Sequence, residues 1–298
     1  MIEAATVLGA HHPAEVFALP FMWRALVTVV ILAVAAGVVG LFISFREMEF
    51  VSDGLVHAVF PGLVIGAALG GSAGVLPGAV LAAIISAVLF TVLEHRAGVG
   101  ADAAIAVVLT GLFSLGIVLV SRQSGYVSQL QELLFGRLLT VTEAQLWQIL
   151  AVAIASLVVV ALTWRAQLFR AFDAAGAEAA GFRPLRSDLA LGIAVALLVV
   201  AGVQALGVLM VLALLTVPMA VARLLTRGFA LLIPLAILVP LLAGIAGLWL
   251  SFEWSVEADA TVSPGAVVVL LLVAAYGVAA AVRSIRRARA HPRQAVRA

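Results

Sequence analysis

From Gly54 to Leu93 the chain runs forty residues without one Asp, Glu, Lys or Arg, and Leu189–Ala222 does the same over 34. Runs like these cannot lie on the surface of a soluble domain. About 20 mostly apolar residues cross the hydrocarbon of a bilayer, so each run is near two crossings long and must be broken. The rest of the composition agrees. The chain is 65% hydrophobic and 11% charged, against about 45–50% and about 25% in soluble domains. This excludes a soluble globular enzyme, a disordered chain and a nucleic-acid binder. The chain has no Cys, which excludes disulfides, thiolate metal sites and cysteine nucleophiles.

The breaks can be read from glycine and proline. Ala25–Phe45 is uncharged and forms the first span. Gly70-Gly71-Ser72-Ala73-Gly74 and Pro77 divide the forty-residue run into the second and third. Ala103–Ser121 is the fourth and Ala144–Trp164 the fifth. Leu189–Ala222 divides near Gly202–Gly207 into two short helices, the sixth and seventh. Gly228–Phe252 is the eighth and Ala260–Val282 the ninth. The expectation is therefore an all-α polytopic membrane protein of about nine spans in a transmembrane domain over 25–282. Residues 1–24 lack the basic start and cleavage site of a signal peptide and are expected to stay on as an extracytoplasmic segment. Residues 283–298 form an Arg-rich tail.

Arginine tests that count. All 17 basic residues are Arg, and the formal net charge is only +2. With the N-terminus outside and the C-terminus in the cytoplasm, only Arg24, Arg122 and Arg137 lie outside. The other 14, from Arg46 and Arg96 to the tail, fall inside. That asymmetry is the positive-inside pattern. An eight-span count would place Arg223 and Arg227 opposite the group Arg165, Arg170, Arg183 and Arg186, and fits less well. The tail arginines read as orientation and contact with anionic lipid. Two longer loops remain: an outer one over 122–143, with a short helix expected around Val127–Leu134, and an inner one over 165–187.

Few residues carry chemistry. The second span opens Val51-Ser52-Asp53-Gly54-Leu55-Val56-His57-Ala58-Val59-Phe60-Pro61-Gly62. Asp53 and His57 are four apart and share a helix face. Carboxylate and imidazole together suit zinc, manganese or iron(II). Pro61 has no N–H, so the His57 carbonyl loses its helical partner. Gly62, Gly66 and Gly70 recur every fourth residue and allow close helix packing. Two readings of the acid–imidazole pair stand: a hydrogen-bonded fastening at the inner end of a helix, or ligands to an ion, since ionisable groups within spans are by default functional candidates. Only neutral imidazole ligates, so acidification would weaken capture.

Other motifs are weaker. Gly70–Gly74 matches G-x-S-x-G but lacks the strand–turn–helix setting of a nucleophile elbow. No H-E-x-x-H and no phosphate-binding G-x-x-x-x-G-K-[ST] occurs, so the chain holds no ATPase of its own. His11 and His12 read as a solvated pair, and Glu253, Glu257 and Asp259 as a solvated acidic loop. Phe172–Gly181 is Ala-rich and ends in glycine, a short cytoplasmic helix with Asp173 as a first-turn acid or N-cap. It is either a connector or a peg for a partner. Gln204 reads as a hydrogen-bond partner for backbone loosened at the second break.

Four stretches in order then match a family. Phe45-Arg46 with Ser52–Gly62 resembles the signature of the zinc/manganese permease family of ATP-binding-cassette importers. Glu132-Leu133-Leu134-Phe135-Gly136 resembles its outer-loop motif. Phe172-Asp173 with Ala177 and Gly181 resembles its cytoplasmic coupling segment. Gln204–Leu209 with Ala213-Leu214-Leu215 and Pro218 resembles its paired-span motif. The resemblance covers about 25–282. Gly54 stands where members more often have Ala, and Val56 where they often have Ser; neither removes a ligand type.

The resemblance implies a homodimeric permease on the fold shared with cobalamin and siderophore importers, in a bacterial plasma membrane. It implies a cytoplasmic ATPase subunit that binds ATP, and an extracytoplasmic metal-binding protein. Asp53 and His57 become ligands along the metal path, and Phe172, Asp173, Ala177 and Gly181 the ATPase-coupling segment. No cofactor is expected beyond the transported ion, zinc ahead of manganese. Rival readings are an importer of a metal chelate, a proton-coupled secondary transporter and, last, an intramembrane enzyme.

Overall fold

A chain this apolar can satisfy its backbone in lipid only as helices or a closed barrel. The computed structural model takes the first course. It describes residues 13–96, 101–121, 135–257 and 262–290, and no strand occurs among them. The helices are α1 (Pro13–Ala18), α2 (Pro20–Phe45), α3 (Glu49–Ala58), α4 (Phe60–Arg96) and α5 (Ala101–Val120). After a short 3-10 turn at Leu138–Thr140 come α6 (Glu143–Phe172), α7 (Ala174–Ala179), α8 (Pro184–Leu225), α9 (Phe229–Glu257) and α10 (Pro264–Ala290). Six stretches are long and apolar enough to cross a membrane: α2, α3 with α4, α6, α8, α9 and α10; α5 adds a shorter apolar stretch, Ile105–Val120. The expected helix at Val127–Leu134, His11, His12, Asp259 and the last tail residues lie outside the described residues.

The centre of the bundle is α8, which packs on α2, α3, α4, α6, α9 and α10. Of its apolar window 78% is buried, against 67% in α2 and 33% or less in the others. So α8 and α2 form the axis, and the other helices wrap it with one face outward. Large side chains on those outer faces, such as Leu81, Val107, Leu162 and Leu270, are exposed. Water would penalise such a surface; lipid does not.

Each long run reverses at one glycine. In α4 the break is Gly71, at φ 57 and ψ −144, a conformation open to glycine and costly for other residues. The chain doubles back there. A Cβ on Gly66 would lie 2.2 Å from the Gly74 carbonyl oxygen, and one on Gly62 would lie 2.4 Å from that of Gly78. The two halves thus touch backbone to backbone. Gly70, third in the same series, faces open space and takes no part.

In α8 the break is Gly207, at φ 77 and ψ 166, the last residue of the expected Gly202–Gly207 interval. Gly202 itself stays within the regular helix and packs on Val211. Pro218 lies buried further along α8 and withholds its N–H from the Leu214 carbonyl. Helix α2 begins at Pro20, ahead of Ala25, because proline serves well at a first helical position. Helix α10 continues through Arg283 to Ala290, carrying the start of the Arg-rich tail out of the bundle.

Gly66→Ala must push two backbones apart. Overpacking of this kind costs about 1–3 kcal/mol, and the purified variant should melt several degrees below wild type. Gly70→Ala should melt no lower than wild type.

Candidate metal path and coupling end

Thirteen consecutive residues, Ser52–Val64, run along α3 into α4, and all are buried except Asp53 and His57. An acid and an imidazole are therefore the only breaks in an apolar wall. Their side chains keep 32% and 26% exposure, with His57 Nδ1 3.4 Å from Asp53 Oδ1. That is beyond a good hydrogen bond. The ring instead contacts the Asp53 backbone carbonyl oxygen, Nδ1 to O 3.0 Å. A carbonyl oxygen only accepts, so Nδ1 donates. In the neutral ring this leaves the Nε2 lone pair unused, the arrangement that metal-binding histidines adopt when a carbonyl orients them. Phe113 of α5 meets the ring edge-on at 5.5 Å and limits its swing.

Helix α3 stops at Ala58, and Val59 links it to α4. The interruption falls beside Pro61, where the His57 carbonyl lacks its helical N–H. Among the described residues no group of three or more His, Asp or Glu could hold an ion. The pair offers two side-chain donors of different type and no closed cage.

At the other break Gly136 and Gly207 meet. Gly136 has φ 75, and a Cβ there would lie 2.3 Å from the Leu206 carbonyl carbon. The next residue, Arg137, donates its backbone N–H to the Ala205 carbonyl at 2.9 Å. The loosened backbone is thus satisfied by the loop's own backbone. Gln204, expected in that role, instead has its buried Nε2 without a partner. It lines a cavity of about 590 Å³ with Ser72, Arg137, Thr142, Gln145 and Gln148, beside the turns at Gly71 and Gly207. Of the outer-loop motif, Glu132, Leu133 and Leu134 lie outside the described residues; Phe135 and Gly136 sit on this break.

The short helix α7 is built by local capping. Asp173 Oδ1 accepts the Gly176 N–H at 2.8 Å, so Asp173 is its N-cap. Gly181, at φ 90, ends it: Gly181 N–H reaches the Glu178 carbonyl and Phe182 N–H the Ala177 carbonyl, at 2.9 and 3.0 Å. These two bonds form a Schellman motif. Ala177 is fully buried while most of α7 is exposed. Phe172, the last residue of α6, meets the rings of Phe45 at 5.5 Å and Phe229 at 6.1 Å, tilted to both, which ties the joint between α6 and α7 to α2 and α9.

Beside this joint lies a charged cluster that sequence reading did not find. Asp188 of α8 pairs with Arg46 at the end of α2 and with Arg170 of α6 at 3.2 Å. His95 of α4 lies 3.3 Å from the same carboxylate. Gln167 accepts from Arg46 at 2.7 Å and donates to the Ser187 carbonyl at 2.7 Å. Four helices thus converge on one carboxylate whose side chain is 10% exposed.

Comparison with known proteins decides the family. Residues 18–283 match the model of the ABC 3 transport family. The chain belongs to that family. The permease resembles the manganese transport system membrane protein MntC of Halalkalibacterium halodurans, 31% identical over 81% of this chain and 82% of that one. It also resembles the chelated iron transport system membrane protein YfeD of Yersinia pestis, 30% identical over 80% of each. Among solved structures it is similar to PsaBC from Streptococcus pneumoniae in complex with Fab, with a TM-score of 0.75 and 25% identity over 88% of this chain and 91% of that one. Membership of the metal-ion permeases of ATP-binding-cassette importers, read from four motifs, therefore stands. The permease is a multi-pass protein of the bacterial plasma membrane.

Two substitutions separate the parts of the coupling end. Asp188→Ala strands two arginines and should destabilise the fold by about 3–5 kcal/mol. Asp173→Ala removes one cap, worth about 1 kcal/mol. It should leave the melting temperature nearly unchanged while hydrogen exchange at the Gly176 amide quickens roughly fivefold.

Proposed function

We propose that this permease carries a bare divalent ion, manganese, through the membrane, and that Asp53 and His57 take the ion in passing. The observation that carries this is the Ser52–Val64 wall with its two openings. Lipid gives no reason to place a carboxylate and an imidazole alone on a buried stretch. An ion path does. Oxygen and nitrogen donors suit manganese, and the printed name of the Halalkalibacterium relative is that of a manganese system. Zinc, expected first from the motifs, is named by neither relative described above.

Two donors are too few for a divalent ion, and a second copy of the chain facing the first would supply two more. The working unit is then a homodimer with the ion between protomers. Splitting α4 at Gly71 and α8 at Gly207, and counting α5, gives nine crossings. The arginine distribution puts the N-terminus outside and α7 in the cytoplasm. There Phe172, Asp173, Ala177 and Gly181 present a capped, exposed helix to an ATPase subunit. Closure of that partner on ATP pushes α7 and, through Phe172, shifts α2 and α9. An extracytoplasmic binding protein delivers the ion to the outer face, where the cavity beside Gln204 is the entry. Gly62, Gly66, Gly207 and Pro218 shape the helices around this route.

A second reading, transport of chelated iron, is favoured by the Yersinia relative's name. A chelate brings its own ligands and does not need Asp53 or His57. The test is ATP-dependent uptake of manganese, zinc and iron into proteoliposomes holding the permease with its ATPase and binding protein. Manganese uptake should fall at least about tenfold in Asp53→Ala and in His57→Ala, with basal ATPase activity retained. Normal manganese accumulation in both variants would refute the site.

A further inference from the structure

A cavity of about 730 Å³ opens between the ends of α8 and α10. Five arginines line it, Arg223, Arg227, Arg283, Arg286 and Arg287, and no acid does. Arg223 is held in place. Its Nη1 donates to the Ser44 carbonyl and hydroxyl at 3.0 and 2.8 Å, and its guanidinium lies 5.2 Å from the centre of the Phe45 ring. The other four make no hydrogen bond or ion pair with any described residue. Five like charges around one space repel unless an anion joins them. Their planar forks suit phosphate oxygens in particular.

The surroundings identify the kind of anion. A smaller groove of about 360 Å³ shares Leu224, Arg283 and Arg287 with the cavity and adds Ala280 and Ser284. Ala280 lies one helical turn back along α10, and Val273, seven residues before it on the same face, is exposed. The basic cavity therefore continues, past Ser284, to Leu224 and Ala280, on the way to the apolar part of α10. A soluble anion has no use for an exposed apolar surface next to its site, such as Leu270 and Val273 provide; an acyl chain does.

We propose that this is a binding site for the headgroup of an anionic phospholipid, with two phosphates in the manner of cardiolipin. The proposal rests on the membrane placement of this end of the bundle and not on the identity of the transported ion. The site also touches the transport machinery. Arg223 lies on Phe45, and Phe45 meets Phe172 and Phe229. A lipid seated here braces the joint through which α7 is attached.

The test is thermal unfolding of the full chain in a neutral maltoside detergent, with cardiolipin, phosphatidylcholine or inorganic pyrophosphate added separately. Wild type is compared with the double variant Arg283→Gln/Arg287→Gln and with Arg165→Gln, a charge loss on exposed α6. Cardiolipin should raise the midpoint of wild type and of Arg165→Gln, and phosphatidylcholine should not. The double variant, relieved of two like charges, should melt no lower than wild type without lipid and need roughly 30-fold more cardiolipin for the same rise. An equal response in the double variant, or an equal rise with phosphatidylcholine, would overturn the site. A rise with pyrophosphate matching that with cardiolipin would make the occupant a soluble phosphate and overturn the lipid. No response of wild type to any additive would also overturn it, and would leave the cavity to an acidic protein surface. None of these readouts depends on metal transport.

Discussion

The structure depends on how a buried helix can be interrupted without leaving its backbone unpaired. Inside lipid an unsatisfied N–H or C=O costs several kcal/mol. At Gly207 the interruption is tolerated because Arg137 donates its N–H to the Ala205 carbonyl. Gly136 and Gly207 lack the Cβ atoms that would keep the two segments apart. At Gly71 the remedy differs: the halves of α4 fold against each other through Gly62, Gly66, Gly74 and Gly78. Both breaks border one cavity, which also holds the unpartnered Gln204 amide. The bundle gives up helix continuity beside this cavity, the proposed entry, and glycine makes that possible.

The opposite end is built for rigidity. Asp188 gathers Arg46, Arg170 and His95, and so ties α2, α4 and α6 to the start of α8. A buried ionic cluster adds little net stability over an apolar core, but it resists separation of its members. The Phe45–Phe172–Phe229 contacts lie beside it. On the proposed mechanism, a push on α7 would pass to these helices and not be absorbed in a loop. The Arg223 contact with Phe45 extends the same joint to the basic cavity.

What was legible in the sequence is what local physics dictates. Apolar run length fixes where helices lie, and glycine marks where they break, so Gly71 and Gly207 fell within the predicted intervals. The Asp173 cap and the Gly181 terminus were readable because capping acts over three or four residues. The four-residue spacing of Asp53 and His57 told that they share a face, though not that every neighbour would be buried. What escaped was long-range. Arg46, His95, Arg170 and Asp188 are far apart in the chain, and each alone resembles a loop charge at a helix end. Gln204 is not the partner of the loosened backbone, because Arg137 of the loop reaches the Ala205 carbonyl first. Gly70 fits the glycine periodicity but sits at the tip of the hairpin, where nothing approaches it. The basic cavity joins Arg223 and Arg227 to the tail arginines, a juxtaposition that only the packing of α8 on α10 creates.

The central claim is that positions 53 and 57 open onto an aqueous ion path and not onto lipid. The chain has no cysteine, so His57→Cys provides a single thiol. Its reaction with a membrane-impermeant thiosulfonate can be compared with that of Leu162→Cys on the outer face of α6. The account predicts rapid labelling at 57, slowed by cadmium, and little at 162. A thiol at position 57 as inert as the one at 162 would place Asp53 and His57 against lipid or buried protein, and would contradict the account.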